Sequence, residues 1–291
     1  MNAPLLEKAS AKINLSLRVL GRRADGYHEI ESLVAFADVA DVLRLQGGAE
    51  DRLEITGPFA SKSGPAADNL VLKALGALRG RVDGLKAGRF LLEKNLPVAA
   101  GIGGGSADAA AAFRLLARSN NIALTDPRLM TAARSVGADV PVCLDPRSRI
   151  MRGIGDVLSE PLDLPRLPAV LANPGVALST RDVFGNFAGQ KDRCDLAEVP
   201  AGFEALIELL AQLKNDLTEA AIACVPAIGE VLEGLRASPG NKLVRMSGSG
   251  PTCFALFSSS DEAATAAKRL KSEHEKWWVC ATTIGGAPGQ S

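Results

Sequence analysis

The segment Leu96-Pro97-Val98-Ala99-Ala100-Gly101-Ile102-Gly103-Gly104-Gly105-Ser106-Ala107-Asp108-Ala109-Ala110 carries the strongest chemical signal in this chain. A run of glycines lets backbone N–H groups turn into one concavity, because residues without Cβ tolerate the torsions and the close approach required. The alanine-rich stretch behind it predicts a helix over Ala107–Arg118, whose unpaired N–H groups and positive dipole end aim at the same point. Together they read as a seat for phosphate. Two familiar phosphate loops do not fit. A Walker A loop opens its helix with Gly-Lys-Ser/Thr, and Gly105-Ser106-Ala107 has no lysine. The dinucleotide spacing G-x-G-x-x-G, started on Gly101 and Gly103, lands on Ser106. By itself a glycine triplet reads first as a tightly packed helix start; a strand before it and a helix behind it favour phosphate.

The scarce residues exclude other chemistry. His28 and His274 are the only histidines, so a multi-histidine metal site is excluded and a Ser-His-Asp triad has two candidates at most. Cysteines at 143, 194, 224, 253 and 280 are odd in number and scattered, which reads as reduced thiols of a cytosolic protein. With 33 basic and 33 acidic side chains, zero formal net charge argues against a nucleic-acid footprint or a polybasic membrane patch. No window holds about 18 uninterrupted apolar residues, and the N-terminus lacks a basic region followed by an apolar signal core. A cytoplasmic or matrix-like protein, monomeric or weakly dimeric, is the expectation. At 47% hydrophobic and 23% charged, the 291 residues suffice for about two globular domains.

These groups need elements to hold them. Apolar residues at 13, 15, 17 and 19 alternate, predicting a half-buried strand with Lys12, Asn14, Ser16 and Arg18 on the opposite face. Short strands follow at Leu33–Ala37, Val42–Leu45 and Leu53–Thr56. Asp68-Asn69 starts a helix carrying Leu70, Val71, Ala74, Leu75 and Leu78, and a strand over Arg89–Leu92 leads into the glycine turn. Thr125 or Asp126 before Pro127 starts another helix. Around Gly153–Pro168 periodicity is lost, which gives domains 1–156 and 157–291. The second reads as α+β, with helices over Phe203–Leu213, Asp216–Ala223, Ala227–Leu235 and Asp261–Ser272. Its strands are Val170–Ala172, Leu243–Met246, Cys253–Phe257 and Trp277–Ile284, and the GGAPGQS tail reads as frayed.

Three blocks resemble the GHMP kinase superfamily in order and spacing over nearly the full length. The first is Ala9-Ser10-Ala11-Lys12-Ile13-Asn14-Leu15 with Gly21-Arg22-Arg23-Ala24-Asp25-Gly26-Tyr27-His28. The second is the glycine-rich segment 97–110 with Gly137-Ala138-Asp139-Val140-Pro141-Val142. The third is Ser247-Gly248-Ser249-Gly250-Pro251-Thr252-Cys253-Phe254. The Arg-Arg-x-Asp-Gly-Tyr-His element is specific to members acting on a cytidyl substrate. The resemblance implies a two-domain α+β fold with its active site in the interdomain cleft. It also implies ATP-dependent phosphorylation of the 2-hydroxyl of 4-diphosphocytidyl-2-C-methyl-D-erythritol in non-mevalonate isoprenoid supply.

The same resemblance implies the site. Asp139, by itself a turn or cap residue, would accept the hydroxyl proton as the γ-phosphoryl group leaves ATP. Lys12 would favour the ionised carboxylate and stabilise charge on the transferring group. Asn14 would aim an amide at the substrate. Tyr27 and Phe184 would stack on cytosine, with His28 and Thr180 as polar contacts. Asn69, Leu70 and Lys94 match positions near adenine and ribose. Pro97, Gly101, Gly103, Gly104, Gly105 and Ser106 form the phosphate loop, and Gly248 and Gly250 belong to a loop closing the cleft. Ala99-Ala100 stand where the family often carries glycine, and Ala107 stands where many members place a second hydroxyl near magnesium. Mg²⁺ is therefore expected to arrive with ATP, without an assigned protein ligand. The alternatives are a mevalonate- or homoserine-type kinase, which needs no base clamp, and a non-catalytic nucleotide-binding regulator.

Overall fold

The computed structural model describes residues 4–48, 50–189, 196 and 198–286. Cys194 and the last five residues of the GGAPGQS tail lie outside them. The chain divides into two units, each assembled from three segments. The first comprises Met1–Ala11, Val39–Val98 and Gly103–Pro146; the second comprises Lys12–Asp38, Ala99–Ile102 and Arg147–Ser291. The chain crosses between units inside β1 (Leu5–Asn14), inside β3 (His28–Gly47), on both sides of Ala99–Ile102 and between Pro146 and Arg147.

In the first unit, β5 (Gly88–Glu93) runs parallel to β4 (Arg52–Thr56) and antiparallel to the later part of β3, from Val42 opposite Glu93 to Gly47 opposite Gly88. Helix α1 (Leu70–Arg79) starts at Asn69, whose Oδ1 accepts from the Val71 N–H at 2.9 Å. Helix α2 (Gly104–Ser119) follows the glycine turn, α3 (Pro127–Val136) starts at Asp126, and α4 (Val140–Leu144) follows Asp139. Every residue of α2 from Ala107 to Ala117 is buried. A helix apolar nearly all round belongs in a core, and α1, α3 and α4 pack around it.

The second unit also contains β2 (Arg18–Arg22), β6 (Arg149–Gly153) and β7 (Val157–Leu158). Strands β8 (Leu167–Asn173), β9 (Asn241–Met246), β10 (Cys253–Phe257) and β11 (Trp278–Ile284) form an antiparallel array in the order β11-β8-β10-β9. Short helix α5 (Thr180–Gly185) precedes α6 (Phe203–Gln212), α7 (Thr218–Cys224), α8 (Ala227–Arg236) and α9 (Ser260–Glu273). Helices α8 and α9 cover the array, burying Ile228, Leu232 and Leu270 against Val170, Ala255 and Phe257. Among the described residues no helix is long and apolar enough to cross a membrane.

Three expectations change. The strands read separately at Leu33–Ala37 and Val42–Leu45 are one strand of twenty residues, because Asp41 is accommodated inside by an ion pair. The strand read over Ile13–Val19 divides between β1 and β2. Its polar face is not solvated: Lys12, Asn14 and Ser16 are buried, for the reason given below. Strands β6 and β7 and helix α5 were not foreseen, being too short to show a period.

Candidate active site

The first unit holds the start of α2. Gly103 occupies the N-cap position at φ +64° and offers no side-chain acceptor, so the N–H groups of Gly104, Gly105 and Ser106 form an open first turn. A Cβ placed on Gly105 would meet the Leu70 Cδ1 at 3.4 Å, which brings together two of the residues predicted for ATP. Asn69 uses its side-chain oxygen as the α1 cap. Pro97 is buried just before the turn. Asp139 stands at the N-cap position of α4, in the turn closed by the Val140 N–H donating to the Gly137 carbonyl at 3.1 Å, and its side chain makes no capping bond.

Lys94 was predicted near adenine and ribose. Its ammonium lies between two carboxylates, 2.5 Å from Asp41 Oδ2 and 2.7 Å from Asp108 Oδ2, and all three residues are buried. Asp41 Oδ1 also accepts from the N–H groups of Asn95 (2.5 Å) and Leu96 (2.8 Å). Burial pushes Asp108 up to about 7, against the pull of the Lys94 ammonium and helped by the Asp41 charge. For Lys94, burial works against the cation, but Asp108 and Asp41 outweigh it and its pKa lies above the ordinary lysine value. Asp41 and Asp108 were not singled out from the sequence. The available signal was a lone acid in an alanine-rich helix, which needs a partner once buried.

The second unit ties the other two blocks together. The Lys12 N–H donates to the Ile102 carbonyl at 2.9 Å, and the Asn14 N–H donates to Ser247 Oγ at 3.1 Å. Ser247 Oγ donates in turn to the Gly101 carbonyl at 3.1 Å, and the Thr252 N–H donates to the Ala100 carbonyl at 3.2 Å. The β9–β10 loop thus covers Asn14, the Ala99–Ile102 segment runs beside Lys12, and Ser16 Oγ accepts from the Leu33 N–H of β3 at 3.3 Å, which together account for the burial of that face. A Cβ on Gly101 would lie 2.5 Å from Gly250 O and 2.7 Å from Ser247 O; one on Gly248 would lie 2.7 Å from Gly101 O. Gly101 is glycine because backbone occupies the space of a side chain. Ala99 holds φ +53°, a left-handed conformation that costs an L-residue roughly 1–2 kcal/mol.

Asn14 Nδ2 donates to Ser32 Oγ at 2.7 Å, while its Oδ1 is buried without a protein partner among the described residues. The His28 ring stacks on Phe184, centroids 4.9 Å apart and planes inclined by 26°. Burial lowers the His28 pKa and the nearby Arg22 cation adds to this, which favours the neutral ring. Tyr27 sits on the adjacent turn with 62% of its surface exposed. Thr180 Oγ1 and Ser249 Oγ are hydrogen-bonded at 2.8 Å, joining α5 to the β9–β10 loop. Sequence reasoning missed Ser247 and Ser249 as individual residues, having read their block through its glycines.

Residues 69–145 match the family described as GHMP kinases N terminal domain, and residues 197–276 match GHMP kinases C terminal. The chain is 53% identical over 292 aligned residues to the 4-diphosphocytidyl-2-C-methyl-D-erythritol kinase of Rhodopseudomonas palustris strain BisB18, covering 97% of this chain and 95% of that one. It is 53% identical to the enzyme of that name from Methylorubrum extorquens, covering 96% and 99%. Among solved structures, a 4-(cytidine 5'-diphospho)-2C-methyl-D-erythritol kinase superposes with a TM-score of 0.75 at 34% identity, over 97% of this chain and 100% of that one. The homoserine kinase of Cytophaga hutchinsonii shares the fold, with a TM-score of 0.69 at 20% identity over 99% and 96%. On these matches, the chain belongs to the GHMP kinases.

Proposed function

We propose that this protein transfers the γ-phosphoryl group of ATP to the 2-hydroxyl of 4-diphosphocytidyl-2-C-methyl-D-erythritol. The reading is carried by 53% identity across 97% of the chain to a relative bearing that activity in its name. The second unit supports the choice of acceptor, because an imidazole stacked on Phe184 beside an exposed Tyr27 offers planar apolar surface with hydrogen-bonding edges, which suits a nucleobase. Mevalonate or homoserine would use none of it.

In this reading the open first turn of α2 receives the nucleotide phosphates, with Leu70 against it. Asp139 takes the proton of the acceptor hydroxyl while its oxygen bonds to the γ-phosphorus and the bond to ADP breaks. Lys12 stabilises negative charge on the group in transit. The unpartnered Asn14 Oδ1 accepts from an acceptor hydroxyl. Magnesium comes with the nucleotide. Mg²⁺ usually keeps several waters and phosphate oxygens, so a sparse protein shell suffices, and Asp41 and Asp108 are engaged by Lys94.

ADP production measured with 4-diphosphocytidyl-2-C-methyl-D-erythritol, mevalonate and homoserine as acceptors tests the proposal. Turnover is expected with the first alone. Turnover only with mevalonate or homoserine would remove the substrate assignment. Tight ATP binding without turnover on any acceptor would favour a regulator.

A further inference from the structure

The first two and a half turns of α2 are built from Gly104-Gly105-Ser106-Ala107-Asp108-Ala109-Ala110-Ala111-Ala112, and the first bulky apolar side chain is Phe113. Small side chains allow close packing but do not interlock, so they leave sliding along the helix axis weakly opposed. Asp108 is the exception, reaching from the second turn to Lys94 at the end of β5. The backbone of Lys94 is itself held: its N–H donates to the Thr56 carbonyl at 2.8 Å, and its carbonyl accepts from the Phe59 N–H at 3.2 Å. Gly57 must be glycine for the same contact, since a Cβ there would lie 2.7 Å from the Lys94 carbonyl oxygen. Asp41 fixes the next two residues through the Asn95 and Leu96 N–H groups. A Cβ on Gly104 would lie 3.6 Å from Lys94 Nζ, so the cluster sits directly beneath the open turn.

We propose that Asp108 is a positioning residue for the nucleotide, acting through Lys94: the ion pair ties the start of the glycine turn to the helix that ends it and holds the first-turn N–H groups in place for phosphate. The inference rests on the reading of that turn as the ATP phosphate seat. Burying two carboxylates and an ammonium is costly before pairing. Apolar side chains would fill the same space at lower cost, and what the ions supply instead is a fixed distance and direction.

The test uses the whole protein with Asp108→Asn and Asp108→Ala. Binding of the magnesium complex of a non-hydrolysable ATP analogue is followed by calorimetry, and KM for the cytidyl acceptor and kcat are measured alongside. Asp108→Ala should weaken the analogue tenfold or more, and Asp108→Asn, which keeps the shape and an oxygen for Lys94, two- to fivefold. The acceptor KM should stay within twofold in both. Unchanged analogue affinity in Asp108→Asn, with or without a soluble Ala variant, overturns the proposal. So does an equal loss for analogue and acceptor, because that reports general loosening. Failure of the unsubstituted protein to bind the analogue sinks the ATP reading itself, which is a different result from either.

Discussion

Gly101 and Gly105 lie four residues apart, one in the glycine turn and one in the first turn of α2, and the structure requires glycine for the fold only at Gly101. At Gly101 the backbone holds φ +73°, and an added Cβ would meet Gly250 O at 2.5 Å, Ser247 O at 2.7 Å and Gly250 N at 2.8 Å. The left-handed conformation costs alanine roughly 1–2 kcal/mol. Overpacking adds about 1–3 kcal/mol, with little relief because the opposing atoms are backbone. Against this, alanine recovers about 0.4–1 kcal/mol by restricting the unfolded chain. Gly101→Ala should therefore lose roughly 1–4.5 kcal/mol, a fall in Tm of about 2–18 °C. At Gly105 the torsions are helical and the nearest atom to an added Cβ is Leu70 Cδ1 at 3.4 Å, an ordinary contact. Gly105→Ala should keep or raise stability by up to about 1 kcal/mol through helix propensity. Its methyl would stand in the open turn, so KM for ATP should rise tenfold or more. Urea and thermal unfolding, with ATP titrations of ADP production, read both effects. The reasoning fails if Gly101→Ala unfolds within about 0.5 kcal/mol of the unsubstituted protein, or if Gly105→Ala is destabilised as much as Gly101→Ala.

Asp139→Asn should lower kcat by about two to four orders of magnitude, the usual contribution of a general base, while nucleotide affinity measured by calorimetry stays within twofold; near-normal turnover would remove Asp139 as the base. Ser247→Ala leaves the buried Asn14 N–H without its acceptor, so urea unfolding should show a loss of about 1–3 kcal/mol, and an unchanged midpoint would contradict the role given to this hydroxyl. The His28 pKa is lowered in the folded protein. The unfolded chain therefore binds the extra proton first, and stability is lost as pH falls below the ordinary histidine value of about 6.5. Unfolding free energies at pH 5.5 and 7.5 should show His28→Gln to be less pH-dependent than the unsubstituted protein; a steeper dependence in the variant would refute the assignment.

Much of this protein was legible before folding. Local chemistry placed the starts of α1 and α3, because Asn69 and Asp126 cap the turns they precede. The glycine turn ahead of an alanine-rich helix was legible as an open helix start, and the three spaced blocks marked the family. These signals depend on neighbours within a few residues, or on the order of motifs along the chain.

What folding alone decided depends on partners distant in sequence. Asn14 and Ser247 are 233 residues apart, yet their bond and the Ser247–Gly101 bond help bury a strand face that alternation assigned to the opposite, polar side. Asp41 lies 53 residues from Lys94, and their pairing lets β3 run unbroken through an acid that reads locally as a break. No periodicity separates the glycine crowded by another loop's backbone at 101 from the glycine that opens a helix turn at 105. Both positions read alike along the chain, and only the three-dimensional neighbours, backbone at 2.5 Å from one and a side-chain methyl at 3.4 Å from the other, show that the fold requires glycine at 101 and would admit alanine at 105.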